Sequence, residues 1–332
     1  MTINSEALNI REVKACPCCE SSDYTATGDI APGFDCVTKS LRVTQPDYLI
    51  RECSNCGLLY RTPALAPDAL SRYYEQADYT KWEIADFFPT ERAVHQQLQR
   101  LPLGARVLDF GCSSGRLLGA LVPAYDCCGI EMNTEAAAAA ASKGLRMLPA
   151  TVMEHEPEEQ FQAAVAVDVF EHLQAPVLVL KKLLRLVKPG GAMLIVTGNG
   201  DDSVCRLDPA QFWYFRNFEH LFMLTRKAAE FLARELDAKL ELWQRLPHYD
   251  TPLSARLHQR ARHFFFWQFR RGTLLARTVL PFIPILNRAR SWPVAPTVTC
   301  GHDHVLALFR KPTHAQLRAT RYNAEPPYRL PS

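Results

Sequence analysis

Four groups of side chains in this sequence have the types and spacing to do chemistry. Cys16-Pro-Cys-Cys19 and Cys53-Ser-Asn-Cys56 are two Cys-x-x-Cys knuckles 33 residues apart. Two such knuckles supply four thiolates, the closed tetrahedral shell of a structural zinc, with no position left open for water. Cys16, Cys19, Cys53 and Cys56 are read as the ligands and Cys18 as a spare, and Gly57 fits the tight turn of the second knuckle. A redox pair, which would need one knuckle beside a thioredoxin-like unit, is the alternative. The second group is Asp109-Phe-Gly111-Cys112-Ser-Ser-Gly115, a turn whose glycines let the backbone approach a ligand, followed sixteen residues later by Glu131. A carboxylate at that position can accept from both hydroxyls of a ribose. The third is Glu171-His172, an imidazole beside a carboxylate and so a general-base candidate near neutral pH, or a residue that only orders the following helix. The fourth is His220, which closes the aromatic run Gln211-Phe-Trp-Tyr-Phe-Arg-Asn-Phe-Glu-His220. That run suits a wall against a sugar or planar ring, with Arg216 for a phosphate; ordinary core packing is the other reading.

These groups need a scaffold, and residues 105–246 alternate apolar runs with helical patterns. Ala105–Phe110, Cys127–Glu131, Leu145–Leu148, Ala163–Val169 and Ala192–Thr197 read as strands. Between them lie helices from Gly115 to Val122, from an N-cap at Thr134 to Lys143, and from Pro176 to Val187, with Pro189-Gly190-Gly191 as a turn. A further helix starts near Thr225, and strands follow at Lys239–Leu246 and His304–Arg310. Strands separated by helices indicate right-handed crossovers and a doubly wound α/β fold with a mostly parallel sheet. Ligands then bind beyond the carboxyl ends of the strands near the switch point, where the Asp109–Gly115 turn falls. A dinucleotide would need Gly-x-Gly-x-x-Gly, which Gly111-Cys-Ser-Ser-Gly115 lacks, and Asp109 would repel a pyrophosphate. The same acid can meet the cationic end of S-adenosylmethionine.

Across 332 residues the charged fraction is 22%, the hydrophobic fraction 48% and the net charge +3, so no polyelectrolyte signal for nucleic acid exists. The charge is uneven: eight Arg and no Asp or Glu fall between Thr251 and His302. Residues 256–290 could use that charge and their aromatic block as a peripheral contact with the inner face of a membrane, as a dimer face or as a phosphate clamp. No run reaches the ~18–20 apolar residues of a membrane span. Eleven cysteines, an odd number, without a signal-like start imply a reducing compartment, and a cytoplasmic location is expected. Four stretches follow: a zinc-binding ribbon at 11–62, a helical linker or lid at 63–104 carrying Tyr73, Tyr74, Tyr79 and Trp82, a core at 105–250 plus 301–312, and a basic aromatic insertion at 251–300.

Val107-Leu-Asp-Phe-Gly-Cys-Ser-Ser-Gly115, Gly129-Ile-Glu131, Asp168-Val-Phe-Glu-His-Leu173 and Leu186-Val-Lys-Pro-Gly-Gly191 resemble, in order and spacing, the motifs of class I S-adenosylmethionine-dependent methyltransferases. The resemblance implies a seven-stranded Rossmann-like sheet with His304–Arg310 as its antiparallel seventh strand. It places Asp109, Gly111 and Gly115 at the methionine end of the cofactor, Glu131 and Met132 along the ribose and adenine edge, and Val152 by the adenine, with Cys112 and Asp168 also counted as cofactor-binding. The family usually has glycine where Ser113 stands. The cysteine knuckles, Leu59-Tyr-Arg-Thr-Pro63 and the tyrosine segment resemble the subfamily with an N-terminal zinc-binding domain, which includes sugar C-methyltransferases. That resemblance implies C- or O-methylation of a small molecule, a nucleotide- or lipid-linked sugar, with Glu171, His172 and His220 as catalytic candidates. In the sugar enzymes a tyrosine precedes the Glu by two residues, where this chain has Val169. The alternatives are a methyltransferase of another small metabolite and a zinc-ribbon adaptor that does not turn over.

Overall fold

The structure is a computed structural model that describes residues 9–37, 42–75, 80, 86–149, 161–299 and 301–316. The N-terminal part is built from short strands: β1 (Ile10–Arg11), β2 (Tyr24–Ala31), β3 (Phe34–Val37), β4 (Arg42–Gln45), β5 (Tyr48–Cys53), β6 (Leu59–Thr62) and β7 (Ala64–Leu65). Two helices follow, α1 (Pro67–Glu75) and α2 (Pro89–Leu98), each opening on a proline, whose missing N–H costs nothing in the first turn. The core then runs β8 (Arg106–Phe110), α3 (Arg116–Gly119), β9 (Asp126–Ile130), α4 (Thr134–Ser142), β10 (Arg146–Met147), β11 (Phe161–Val167), α5 (Pro176–Leu186) and β12 (Val187–Gly198). It continues with α6 (Ser203–Leu207), β13 (Phe222–Met223), α7 (Arg226–Glu235), β14 (Lys239–Leu246), α8 (Leu253–Arg270), α9 (Leu274–Thr278), α10 (Pro284–Asn287) and β15 (His304–Arg310).

Seven of these strands form one sheet in the order β10-β9-β8-β11-β12-β15-β14. All neighbours from β10 to β12 are parallel, and β15 runs antiparallel to both β12 and β14. Val107, Leu108, Val165 and Ile195 are fully buried, as expected of strands covered on both faces. The order reverses between β8 and β11, so the crevice at their carboxyl ends is the switch point. The expected doubly wound sheet and its antiparallel strand are present.

Local boundaries differ where the chemistry of single residues decides them. Asn133, not Thr134, caps α4: its Oδ1 accepts from the N–H groups of Glu135 and Ala136 at 3.1 and 3.0 Å. The first core helix ends at Gly119, short of Val122. Pro189-Gly190-Gly191 is an irregular start to β12, where the register jumps from Val187 opposite Phe161 to Ala192 opposite Ala163.

A second sheet, in the order β13-β6-β5-β2, ties the N-terminal part to the core, because β13 comes from residues beyond the fifth core strand. One buried cluster accordingly joins Cys16, Leu58 and Tyr60 to Phe170, Phe222 and Phe309. Beyond β14, α8 buries His263 and Phe266 but leaves Leu253, Leu257 and Phe264 exposed. No helix among the described residues is long and apolar enough to cross a membrane.

Candidate functional site

The turn after β8 is held by the neighbouring strand: Gly111 and Cys112 both donate their N–H to the Ile130 carbonyl, at 2.8 and 3.1 Å. Gly111 has φ +76°, and a Cβ there would meet Val169 Cγ2 at 2.5 Å. Gly115 has φ +74°, with Ala140 Cα 2.9 Å from where its Cβ would be. Ser113 adopts φ +47°, the left-handed region that glycine occupies without strain. Its N–H donates to Glu131 Oε2 at 2.9 Å, and Glu131 Oε1 accepts from Asn133 N at 2.8 Å. The acid expected to meet a ribose is thus fixed in place by two backbone donors, with lone pairs remaining on each oxygen.

Asp109 lies beneath the turn and is buried. Burial first, then the negative Glu131 and Glu91, push its carboxyl up to about 8. A cation arriving there would relieve that strain. Met132 is exposed, and the Cys112 thiol is buried against Gly129. Val152, Tyr79 and Trp82 lie outside the described residues. Sequence reasoning missed Glu91 and Arg116. Glu91 accepts the Phe88 N–H at 2.8 Å and the Arg116 guanidinium at 2.5 Å, fastening α2 over the loop. The end of α1 also reaches this edge, its Glu75 carbonyl 3.5 Å from Asn133 Nδ2.

The structure brings Glu171, His172 and His220 together, with one ligand-type atom from each within 4.8 Å of the others. Glu171 is fully buried and accepts from the hydroxyls of Thr197, at 2.8 Å, and Tyr214. Burial raises its carboxyl above the usual range. His172 Nδ1 meets the Tyr74 hydroxyl at 2.5 Å and the Glu219 carbonyl at 3.1 Å. That carbonyl can only accept, so a proton on Nδ1 satisfies it and leaves Nε2, 3.9 Å from Glu171 Oε1, free to take one. His220 spends its Nδ1 on the Tyr214 carbonyl at 2.7 Å, and burial followed by the neighbouring His172 drives it well below the ordinary histidine range. Arg216 is not the unengaged cation expected for a phosphate: it donates to the Ala295 carbonyl at 3.1 Å and to Thr297 Oγ1 at 2.6 Å. Tyr73 packs edge-on against Phe218, while Tyr74 serves His172.

The four knuckle cysteines also converge, Cys16 Sγ lying 3.5 Å from Cys56 Sγ and Cys19 Sγ 3.4 Å from Cys53 Sγ. A tetrahedron with metal–sulfur bonds of about 2.3 Å has sulfur–sulfur edges of about 3.8 Å. Gly57 takes φ +77° and donates its N–H to the Cys53 carbonyl at 2.8 Å, which closes the second knuckle. The donor set and spacing fit a four-thiolate zinc.

Residues 79–241 match a family described as a methyltransferase domain. The chain carries an S-adenosylmethionine-dependent methyltransferase domain. Two curated relatives overlap it. A tRNA (carboxymethyluridine(34)-5-O)-methyltransferase of Arabidopsis thaliana is 30% identical over 39% of this chain and 30% of its own length. A ubiquinone biosynthesis O-methyltransferase of Bradyrhizobium diazoefficiens is 35% identical over 29% of this chain and 41% of its own. The chain thus spans under half the length of either. A solved S-adenosylmethionine-dependent methyltransferase from Thermotoga maritima overlays with a TM-score of 0.43 at 13% identity, covering 67% of this chain and 89% of that one. The methyltransferase domain places its loop, Glu131 and the Glu171-His172 pair at one end of one sheet.

Proposed function

We propose that the chain transfers a methyl group to an ionisable hydroxyl of a small-molecule acceptor, with His172 as the base. The observation that carries this reading is the fixing of His172: Nδ1 is held by the Glu219 carbonyl and Tyr74, and Nε2 is left beside a buried carboxylate. When bound, S-adenosylmethionine supplies an electrophilic methyl on a sulfonium, and the reaction is an in-line displacement in which positioning contributes much of the rate. Asp109 offsets positive charge under the loop, and Glu131 orients the ribose. His172 accepts the acceptor's proton on Nε2 as the new oxygen–methyl bond forms, and Glu171 stabilises the resulting imidazolium. Both curated relatives are named as O-methyltransferases, which favours oxygen as the methylated atom. The resemblance to enzymes with an N-terminal zinc-binding domain keeps nucleotide-linked keto sugars as the second acceptor class, and there the same base would remove a proton from carbon. The four thiolates would hold a structural zinc that secures the N-terminal sheet.

Labelled methyl transfer from S-adenosylmethionine into a panel of phenolic, hydroxylated and keto-sugar acceptors tests the reading. His172→Ala is expected to lower kcat by about 10²–10⁴-fold, the usual worth of a positioned base, while cofactor affinity stays within about twofold. Full turnover by the variant would remove His172 from the mechanism.

A further inference from the structure

Four side chains meet at the carboxyl end of β11: Asp168, which the family resemblance places at the cofactor, and His248, Asp303 and His304, which the methyl-transfer reading does not use. Asp168 follows that strand, His248 follows β14, and Asp303 and His304 lie at the start of β15. His304 and Asp303 are fully buried and His248 is 9% exposed. His304 Nε2 lies 3.4 Å from Asp168 Oδ1, and His304 Nδ1 lies 3.6 Å from Asp303 Oδ1. The His248 ring stacks on His304 at 4.3 Å, its backbone N–H donates to Asp303 Oδ1 at 2.8 Å, and Phe88 of the helix over the cofactor loop stacks on it at 4.4 Å.

Despite this crowding, both His304 ring nitrogens, His248 Nδ1, Asp303 Oδ2 and Asp168 Oδ1 make no hydrogen bond. Asp168 and Asp303 face the two His304 nitrogens at ion-pair distance, and His304 Nε2, Asp168 Oδ1 and His248 Nδ1 are the buried atoms that one shared partner would satisfy. The neighbouring Glu171–His172–His220 group is the contrast, because its carboxylate and His220 Nδ1 are already committed to Tyr214 and Thr197. Donor atoms of Asp168, His248 and His304 lie within 4.8 Å of one another. A divalent ion with bonds of about 2.1 Å would draw them together by about an ångström through side-chain rotation.

We propose that Asp168, His248 and His304 bind a divalent transition-metal ion, separate from the four-cysteine site. Two imidazoles and one carboxylate form a mixed nitrogen and oxygen set that accepts manganese, iron(II) or zinc, and three protein ligands leave positions open for water or a substrate oxygen. Asp303 is a positioning residue: it faces Nδ1 at 3.6 Å and, drawn in when an ion binds, would hold the proton there and turn the Nε2 lone pair towards the metal.

The test is calorimetric titration of the full, zinc-replete chain with Mn(II), a hard ion that thiolates bind poorly. One Mn(II) per chain is expected. His248→Ala and Asp168→Asn, at the two less buried positions, should each weaken binding at least tenfold, and Asp303→Asn by roughly 10–100-fold. His172→Ala should leave it unchanged, and circular dichroism of each variant checks folding. Absence of Mn(II) binding overturns the proposal, as does binding that survives in His248→Ala and Asp168→Asn or that is lost in His172→Ala instead.

Discussion

Asp109→Asn is expected to weaken binding of S-adenosylmethionine by roughly 10–100-fold while making the cofactor-free protein more stable at about pH 8. The two effects share one cause. In the folded protein the Asp109 carboxyl is pushed up to about 8, against about 3.9 in an unfolded chain. Between those values the folded state holds a proton that the unfolded state has lost, so the wild-type protein loses stability as pH rises through the window. Asparagine removes that dependence, and the cofactor-free melting temperature of the variant at about pH 8 should exceed wild type by at least about 3 °C. A cationic ligand favours the charged carboxylate, and the lost charge-assisted contact is worth about 1.5–3 kcal/mol. Wild-type affinity should therefore rise from about pH 6 to about pH 7.5, below the range in which the cofactor's own ammonium loses its proton. Melting curves with and without cofactor across that range check both effects. A variant that binds as tightly as wild type would place the cation away from Asp109.

The second large effect is expected from Cys16→Ser. Removing one thiolate opens the tetrahedral shell, and structural zinc binding is coupled to folding of the segments that supply it. Damage should travel along a traceable path. The second knuckle leads directly into β6, where Arg61 donates its N–H to the Leu221 carbonyl, and Leu221 in turn donates to the Glu171 carbonyl at 2.8 Å. The Asp109–Gly115 turn hangs instead on β8 and β9 of the other sheet. Cys16→Ser should therefore lower the thiolate-to-metal absorption of the cobalt-substituted protein by about a quarter or more, weaken its cobalt affinity, and reduce methyl transfer at least tenfold, with cofactor affinity held within about threefold. Cys18→Ser should change none of these. Undiminished cobalt–thiolate absorption in Cys16→Ser would remove that residue from the ligand set.

Much of the scaffold was legible because its signals are local. Ala163–Val169 reads as a doubly covered strand from its apolar run, and the structure has a strand at Phe161–Val167. Lys239–Leu246 and His304–Arg310 occur as read. The knuckles were legible because two short spacings dictate where four sulfurs point. The helix start at Asn133 rather than Thr134 was missed because both residues cap well and only the backbone path chooses between them. Contacts between distant segments left no local trace. Tyr74 reaches His172 across 98 residues, Glu91 pairs with Arg116 across 25, and the two-residue strand β13 joins β6. Asp168, His248 and His304 assemble only because β15 inserts between β12 and β14. His248 and His304 sit singly in the sequence, outside any spacing that marks a metal site.

The most direct test of the central claim is calorimetric titration of the wild-type chain with S-adenosylmethionine. One site per chain is predicted, with affinity that tightens as pH rises through neutrality. Titrations that show no binding of S-adenosylmethionine to a folded, zinc-replete chain would contradict the assignment of Val107–Gly115 as a cofactor loop.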